Sequence, residues 1–451
     1  MNKNIIFIIL FLFSIELAAN AQKVYTFDLQ KAIDLDLVEN RNILNAQHDV
    51  VIAKKQVWET TAIGLPQVST ELKYQNMVDI PVTLMPAKIF DPTAGPDDYA
   101  PMKFGQQHSA SFGFTASQLI FSGEYIVGLQ ASKTYQELSQ KAALKSENDV
   151  IELVTKSYYT VLFVKENKNV IIKTLEDIQK TFDEIQKIYQ VGMAEETDVN
   201  QIELNLITVK NSLSSIDRQI TIAENILKFQ IGIKVSDSIV LTDSLEYIFN
   251  NASLKPVMKQ GFDINKNIDY QLLQTQKEIS ELSLKREKST FLPTISAFYS
   301  HSTSGQTNNF DDYFNGSQTY YNSNIVGAGL KWNIFNSGSR YVKVQQAQLE
   351  LAKMNNQEYI LEQNLEFQMG SNKAKLVDAY ETYLKEVKNK ELAEKIYKTA
   401  LTKFTNGSIS SNELTQLNLQ YFNSQSSFYS AMAKVLSAKA ELDKILGNNI
   451  K

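Results

Sequence analysis

The chain has 451 residues, 43% of them hydrophobic, with a formal net charge of −5 and no basic block, so nucleic acid is not an expected partner. Cysteine is absent, which excludes disulfides, thiolate metal sites, a cysteine nucleophile and a lipid-modified N-terminal cysteine. The three histidines, His48, His108 and His301, show no His-x-x-x-His spacing, so a histidine metal site is not expected; no cofactor and no catalytic residue are expected either.

Residues 1–21 read as a secretory signal: Lys3, an apolar run from Ile5 to Ile15 and a small-x-small cleavage site at Ala19-Asn20-Ala21, so that the mature chain starts at Gln22. The run is too short to span a bilayer well, and no later stretch of about 20 apolar residues follows. A helical tract over 29–63 leads to Gly64-Leu65-Pro66. Beyond it, Val68, Thr70, Leu72 and Tyr74 alternate with polar residues, as do Ala110, Phe112, Phe114 and Ala116. Period two over about ten residues, with one apolar face and one small or polar face, is the pattern of an outer-membrane barrel strand. A strand pair is thus expected at about 66–78 and 109–121, joined by a loop carrying five prolines.

Between Gly123 and Pro256 there is no proline, which permits very long helices. Ile171, Leu175, Ile178, Phe182, Ile185 and Tyr189 step by four and three, the seam of a coiled coil or helical barrel. A helix over 124–190, a tip near 192 and a helix over 195–230 follow from this pattern. Residues 233–265 fit neither helix nor barrel and carry a short strand candidate, Ile239 to Thr242. The same order then returns: a helix over 266–290, Leu292-Pro293, a strand pair at about 293–302 and 325–335, a long helix over 340–403, a tip near 407 and a helix over 410–446. Three glycine pairs share one offset, 338−123, 407−192 and 447−232 all being 215, which marks a duplication of 22–232 in 266–447. Each copy offers a helix of about 100 Å and two shorter helices that sum to a similar length. Two strands per copy make four, which cannot close a barrel. Open edges in lipid leave backbone groups unpaired at several kcal/mol each, so membrane strands require oligomerisation.

The duplicated order, with Tyr189-Gln190-Val191-Gly192 and Thr197-Asp198-Val199 in one copy and Phe404-x-x-Gly407 with Glu413-Leu414 in the other, resembles the TolC family of outer-membrane efflux channels over Val24 to Gly447. The resemblance implies a mainly α fold with a small transmembrane β part. A trimer would join a 12-stranded β-barrel, four strands per chain, to a 12-helix α-barrel in the periplasm. It implies docking to a periplasmic adaptor and an inner-membrane pump, proton-driven or of ABC type, and an equatorial role for 233–265. The function implied is a passive exit duct without enzymatic activity.

On the same resemblance, Gly192, Met193, Gly407 and Ser408 are tip residues that meet the adaptor, although a plain helix C-cap explains both glycines equally well. The family's polar lock places an Asp against a Tyr and an Arg. Asp198 holds the Asp position, while Phe404 and Ile409, lacking hydroxyl and charge, hold the other two. Of the family's paired pore acids, Glu413 remains and Gln416 replaces the second. Three Glu413 carboxylates would make a cation-attracting ring; the simpler reading is acidic charge at a helix start. A secreted coiled-coil spacer or adhesin stays open as the alternative. A barrel hydrolase lacks a G-x-S-x-G motif, and His108 and His301 show no evident partner in the sequence.

Overall fold

A computed structural model describes residues 23–449, so the expected signal segment lies outside the described residues. In chain order the elements are β1 (Val24–Phe27), α1 (Leu29–Glu39), α2 (Arg41–Ile63), β2 (Gln67–Asn76), β3 (Val82–Pro86), β4 (Tyr99–Lys103), β5 (His108–Phe121), α3 (Gly123–Gln190) and α4 (Glu196–Ile231). There follow β6 (Ser238–Leu241), α5 (Leu245–Asn251), α6 (Leu254–Lys259), α7 (Ile268–Ser289), β7 (Thr294–Thr307), α8 (Asp312–Asn315), β8 (Tyr320–Lys331), α9 (Ser339–Thr405) and α10 (Ser411–Leu446). The long helices α3 and α9 have 68 and 67 residues, about 100 Å each. The shorter α4 and α10 both have 36. Among the described residues no helix is long and apolar enough to cross a membrane.

The chain forms two compact units, each drawn from several segments. One takes Val51–Glu137 and Thr275–Asn355 and holds a four-stranded antiparallel sheet in the order β2-β5-β7-β8. Its register aligns Val68, Ala116, Tyr299 and Val326 across all four strands. The four alternating patterns therefore merge into one apolar face. That face is open: Val68 is 71% and Val326 80% exposed. The opposite face aligns Ser69, Thr115 and Ser300, with Ile325 its one apolar member in β8, and the Thr115 and Ser300 hydroxyls lie 3.2 Å apart.

Several boundaries differ from those expected. β7 runs on to Thr307 and β8 begins at Tyr320, because the ladder continues through Thr303↔Asn322, Ser304↔Tyr321 and Gly305↔Tyr320. Residues 332–335 lie beyond the strand. The proline-bearing loop contains a second hairpin, β3 paired with β4.

The other unit takes the residues up to Val50, Leu138–Gln274 and those from Asn356 onward. Its core gathers β1, β6 and helical faces around Tyr158, Leu227, Leu245, Leu376, Leu436 and Leu442. β1 and β6 pair in parallel, so the inter-copy segment is tied to the start of the described chain. Tyr158, fully buried, donates to Asp243 Oδ2 at 2.9 Å, and the Leu29 amide donates to the same oxygen at 2.9 Å.

The single helix expected over 29–63 is two helices, broken at Asn40. The Asn40 side-chain amide donates to Gln230 O at 2.6 Å, and its oxygen accepts the Asn42 amide at 2.8 Å. The second copy repeats this joint: Asn267 donates to Ile445 O at 3.1 Å and accepts the Asp269 amide at 3.0 Å. Gly232 and Gly447 close the two joints. A Cβ there would stand 2.7 Å from Glu39 O and 2.8 Å from Lys266 O respectively, so a side chain at either would force the backbones apart. Asp36 lies one turn before Asn40, with no solvent exposure. Its Oδ1 accepts from the Asn40 amide at 2.8 Å, while Oδ2 has no partner among the described residues. Burial pushes its carboxyl up to about 6, against which the Asn40 hydrogen bond works only partly.

Candidate functional site

The two helical hairpins end in the same turn. Gly192 has φ +76° and Gly407 φ +67°, the left-handed region that glycine enters without a Cβ penalty. At the first tip the Gly192 amide donates to Tyr189 O at 2.9 Å and the Met193 amide to Ile188 O at 3.0 Å. At the second the Gly407 amide donates to Phe404 O at 2.9 Å and the Ser408 amide to Lys403 O at 2.8 Å. Each is a Schellman motif, with the glycine at C′, and it satisfies the last carbonyls of α3 and α9. A Cβ on either glycine would meet nothing within 4 Å, so both turns face open space. Met193 is 81% exposed and Ser408 is exposed.

The helices that leave the tips are capped differently. The Glu195 amide at the start of α4 donates to Asp198 Oδ2 at 3.4 Å. The Glu413 amide near the start of α10 donates to Ser410 Oγ at 3.2 Å. Asp198 also joins the two hairpins, since its Oδ1 accepts from Ser411 Oγ at 3.1 Å. Asp198 is half-buried and Ser411 is buried. Besides the Glu195 amide, Asp198 thus has a partner on the other hairpin, and that partner is Ser411. Phe404 and Ile409 instead turn inward. Phe404 packs against the apolar seam of α3 and α4 as well as the Tyr397 cluster, and Ile409 joins that same cluster. Ser411 escaped sequence reading because one serine in a helix start reads as a cap. Its place four residues beyond Gly407, matching Glu196 four beyond Gly192, was the available signal.

Glu413 and Gln416 are both exposed. Glu413 lines a groove of about 390 Å³ together with Lys395, Lys403, Ile396 and Ile409. Further from the tip, the Tyr397 and Tyr421 rings stack at 5.6 Å. Burial raises the Tyr397 phenol well above its usual range, and the neighbouring Asp177, which accepts its hydrogen bond, adds to the shift. Among the described residues no group of three or more His, Cys, Asp or Glu is placed to hold a metal. His108 and His301, which show no partner in the sequence, each have a neutral one: Tyr74 Oη at 2.9 Å and Asn324 Oδ1 at 2.8 Å.

Solved structures with this fold include the Campylobacter jejuni CmeC outer membrane channel, 16% identical with a TM-score of 0.69, over 94% of this chain and 86% of that one. VceC of Vibrio cholerae is 13% identical at a TM-score of 0.71, covering 93% of this chain and 96% of that. The open state of the MtrE outer membrane channel of Neisseria gonorrhoeae is 15% identical at 0.72, covering 94% and 89%. At these identities the likeness is one of fold. No curated protein matches the chain at a significant level. Residues 32–232 and 274–448, the two copies of the duplication, match the Outer membrane efflux protein family. The two copies, the open-faced sheet and the paired hairpins are those of an efflux channel of the outer membrane, and the chain belongs to the Outer membrane efflux protein family.

Proposed function

We propose that three copies of this chain form a passive exit duct. The sheets would unite in a 12-stranded barrel in outer-membrane lipid, and the helical hairpins would wall a tunnel in the periplasm. The observation that carries this reading is the sheet itself. It has an exposed apolar face and two edges, β2 and β8, with no strand partner among the described residues. Lipid suits the face but not the edges, whose unpaired backbone groups cost several kcal/mol each. Twelve strands fall within the known range of such barrels. The helices support the same oligomer: α9 leaves Tyr359, Phe367, Leu384 and Leu392 at least half exposed. The secreted spacer or adhesin reading has no support beside a family match over both copies.

Transport through such a duct needs no catalysis, and its energy would come from an inner-membrane pump, proton-driven or of ABC type. The tips, with Gly192, Met193, Gly407 and Ser408 facing open space, are the surface on which a periplasmic adaptor would dock. The Asp198–Ser411 bond would brace the two tips together, with Phe404 and Ile409 packed behind it. Glu413 would supply three carboxylates around the pore, and Gln416 a neutral ring one turn on.

The test joins mass and conductance. Detergent-extracted protein should have three times the chain mass and open discrete conductance steps in planar bilayers. Glu413→Gln should lower its preference for cations. A monomer without conductance would sink the duct; an unchanged selectivity would remove only the role of Glu413.

A further inference from the structure

The β3–β4 hairpin has one bare apolar face and one that is half-buried except at Thr83. Register pairs Val82 with Lys103, Leu84 with Pro101 and Pro86 with Tyr99, so these six side chains share a face, and five are apolar. Val82, Leu84 and Tyr99 are 54%, 64% and 59% exposed. On the other face Met85, Ala100 and Met102 are half-buried.

We infer that the bare face is an interface between copies, in which each hairpin lies against the first residues of β8, Tyr320 and Tyr321, of the neighbouring copy. The inference rests on the barrel reading and goes beyond it. Strand directions decide which end meets which. β2 is antiparallel to β5, β5 to β7 and β7 to β8, so β2 and β8 run in opposite directions. Closing the barrel by laying β8 of one copy beside β2 of the next therefore gives an antiparallel pair. It brings the Tyr320 end of β8 to the Asn76 end of β2. From Asn76 only residues 77–81 lead to β3, so the hairpin is carried on that seam. Tyr320 and Tyr321, which point to opposite faces of β8, are 49% and 70% exposed, so aromatic surface stands on either side of the seam where the bare face needs cover. Within one chain β2 and β8 are opposite edges of the sheet, three strand spacings or roughly 14 Å apart, whereas barrel closure lays the neighbour's β8 directly beside β2.

The experiment places a benzophenone amino acid at Leu84, and separately at Tyr99 should the first variant fail to assemble, in the full chain within outer membranes. On irradiation we expect adducts of doubled chain mass, mapping to the segment around Tyr320 and Tyr321 and falling several-fold in a Tyr321→Glu background. Adducts with lipid alone, adducts within one chain, or adducts between two hairpins would overturn the inference. Mass in detergent is read on the same sample. A trimer without the expected adduct overturns only this interface, whereas a monomer overturns the barrel reading as well.

Discussion

In the hairpin of α3 and α4, Val164, Ile171, Ile178 and Ile185 recur every seven residues and are buried against Ile202, Leu206, Val209 and Ile216. In that of α9 and α10, the corresponding cluster among the described residues buries Tyr397, Ala400 and Leu414, with Phe404, Ile409, Leu417 and Tyr421 alongside. Adding the repeat offset of 215 makes the exchange explicit: Ile178 becomes Ala393, Phe182 becomes Tyr397, Ile185 becomes Ala400 and Leu206 becomes Tyr421. Two alanines flank a tyrosine in α9 where two isoleucines flank a phenylalanine in α3, and the space admits the Tyr397–Tyr421 stack. The turns stayed alike while the seams diverged. A tight turn depends on two hydrogen bonds and one left-handed residue, but a seam depends on total volume, which two partners can trade between them.

The largest effect that should separate the copies is on stability. Ile178→Ala removes a side chain only 2% exposed and should cost about 2–5 kcal/mol. Its counterpart Ala393 is already small, and Ala393→Ile should instead overpack the tyrosine stack, at about 1–3 kcal/mol. Thermal unfolding in detergent measures both, and equal, negligible shifts would break the contrast.

The joints offer the next contrast. Adding 227, the offset between Pro66 and Pro293, takes Asn40 to Asn267 and Asp36 to Asp263. Asp36 is buried, with one oxygen unpaired among the described residues, while Asp263 is exposed at a helix start. Because burial lifts Asp36 from 3.8 to about 6, the folded chain holds that proton more tightly than the unfolded chain does. Stability should therefore fall as pH rises from about 4 to 6 and then level off, by at most about 3 kcal/mol. Asp36→Asn should flatten that slope and Asp263→Asn should leave it. An unchanged slope in Asp36→Asn would place the pH dependence elsewhere.

At the tips the copies should behave alike. Gly192→Ala and Gly407→Ala add a Cβ that meets no atom, so only the left-handed backbone resists, at about 1–2 kcal/mol each. Unequal losses would mean that one tip is constrained by something beyond its turn. Smallest is Ser411→Ala, which deletes the donor to Asp198 and should cost about 0.5–1.5 kcal/mol. Single-channel recording would show whether the open probability rises once the hairpins lose that bond; an unaltered trace would make the bond purely structural.

Much of this arrangement was legible residue by residue. Alternation placed the four strands, because a sheet with one face in an apolar medium must repeat every two residues. The proline-free tracts and heptad steps placed α3 and α9, and the glycines at a common offset placed both turns. The break at Asn40 was not legible, since an asparagine within a helical pattern is only a weak signal until Gln230 O is seen to accept from it. Nor was the pairing of β1 with β6, two four-residue strands more than two hundred residues apart. The β3–β4 hairpin was hidden in a loop whose prolines argue against strands.

The duplication, the two long helices and the two hairpin turns could be read from the residues alone, because these follow from local periodicity and from backbone conformations that few residues adopt. Only the tertiary structure decided that Asp198 meets Ser411, that Asp36 is buried beside a joint and that the apolar rows of four strands share one face. Such outcomes depend on which distant surfaces come together, and the hydrogen bonds and burial that follow have no local pattern to announce them.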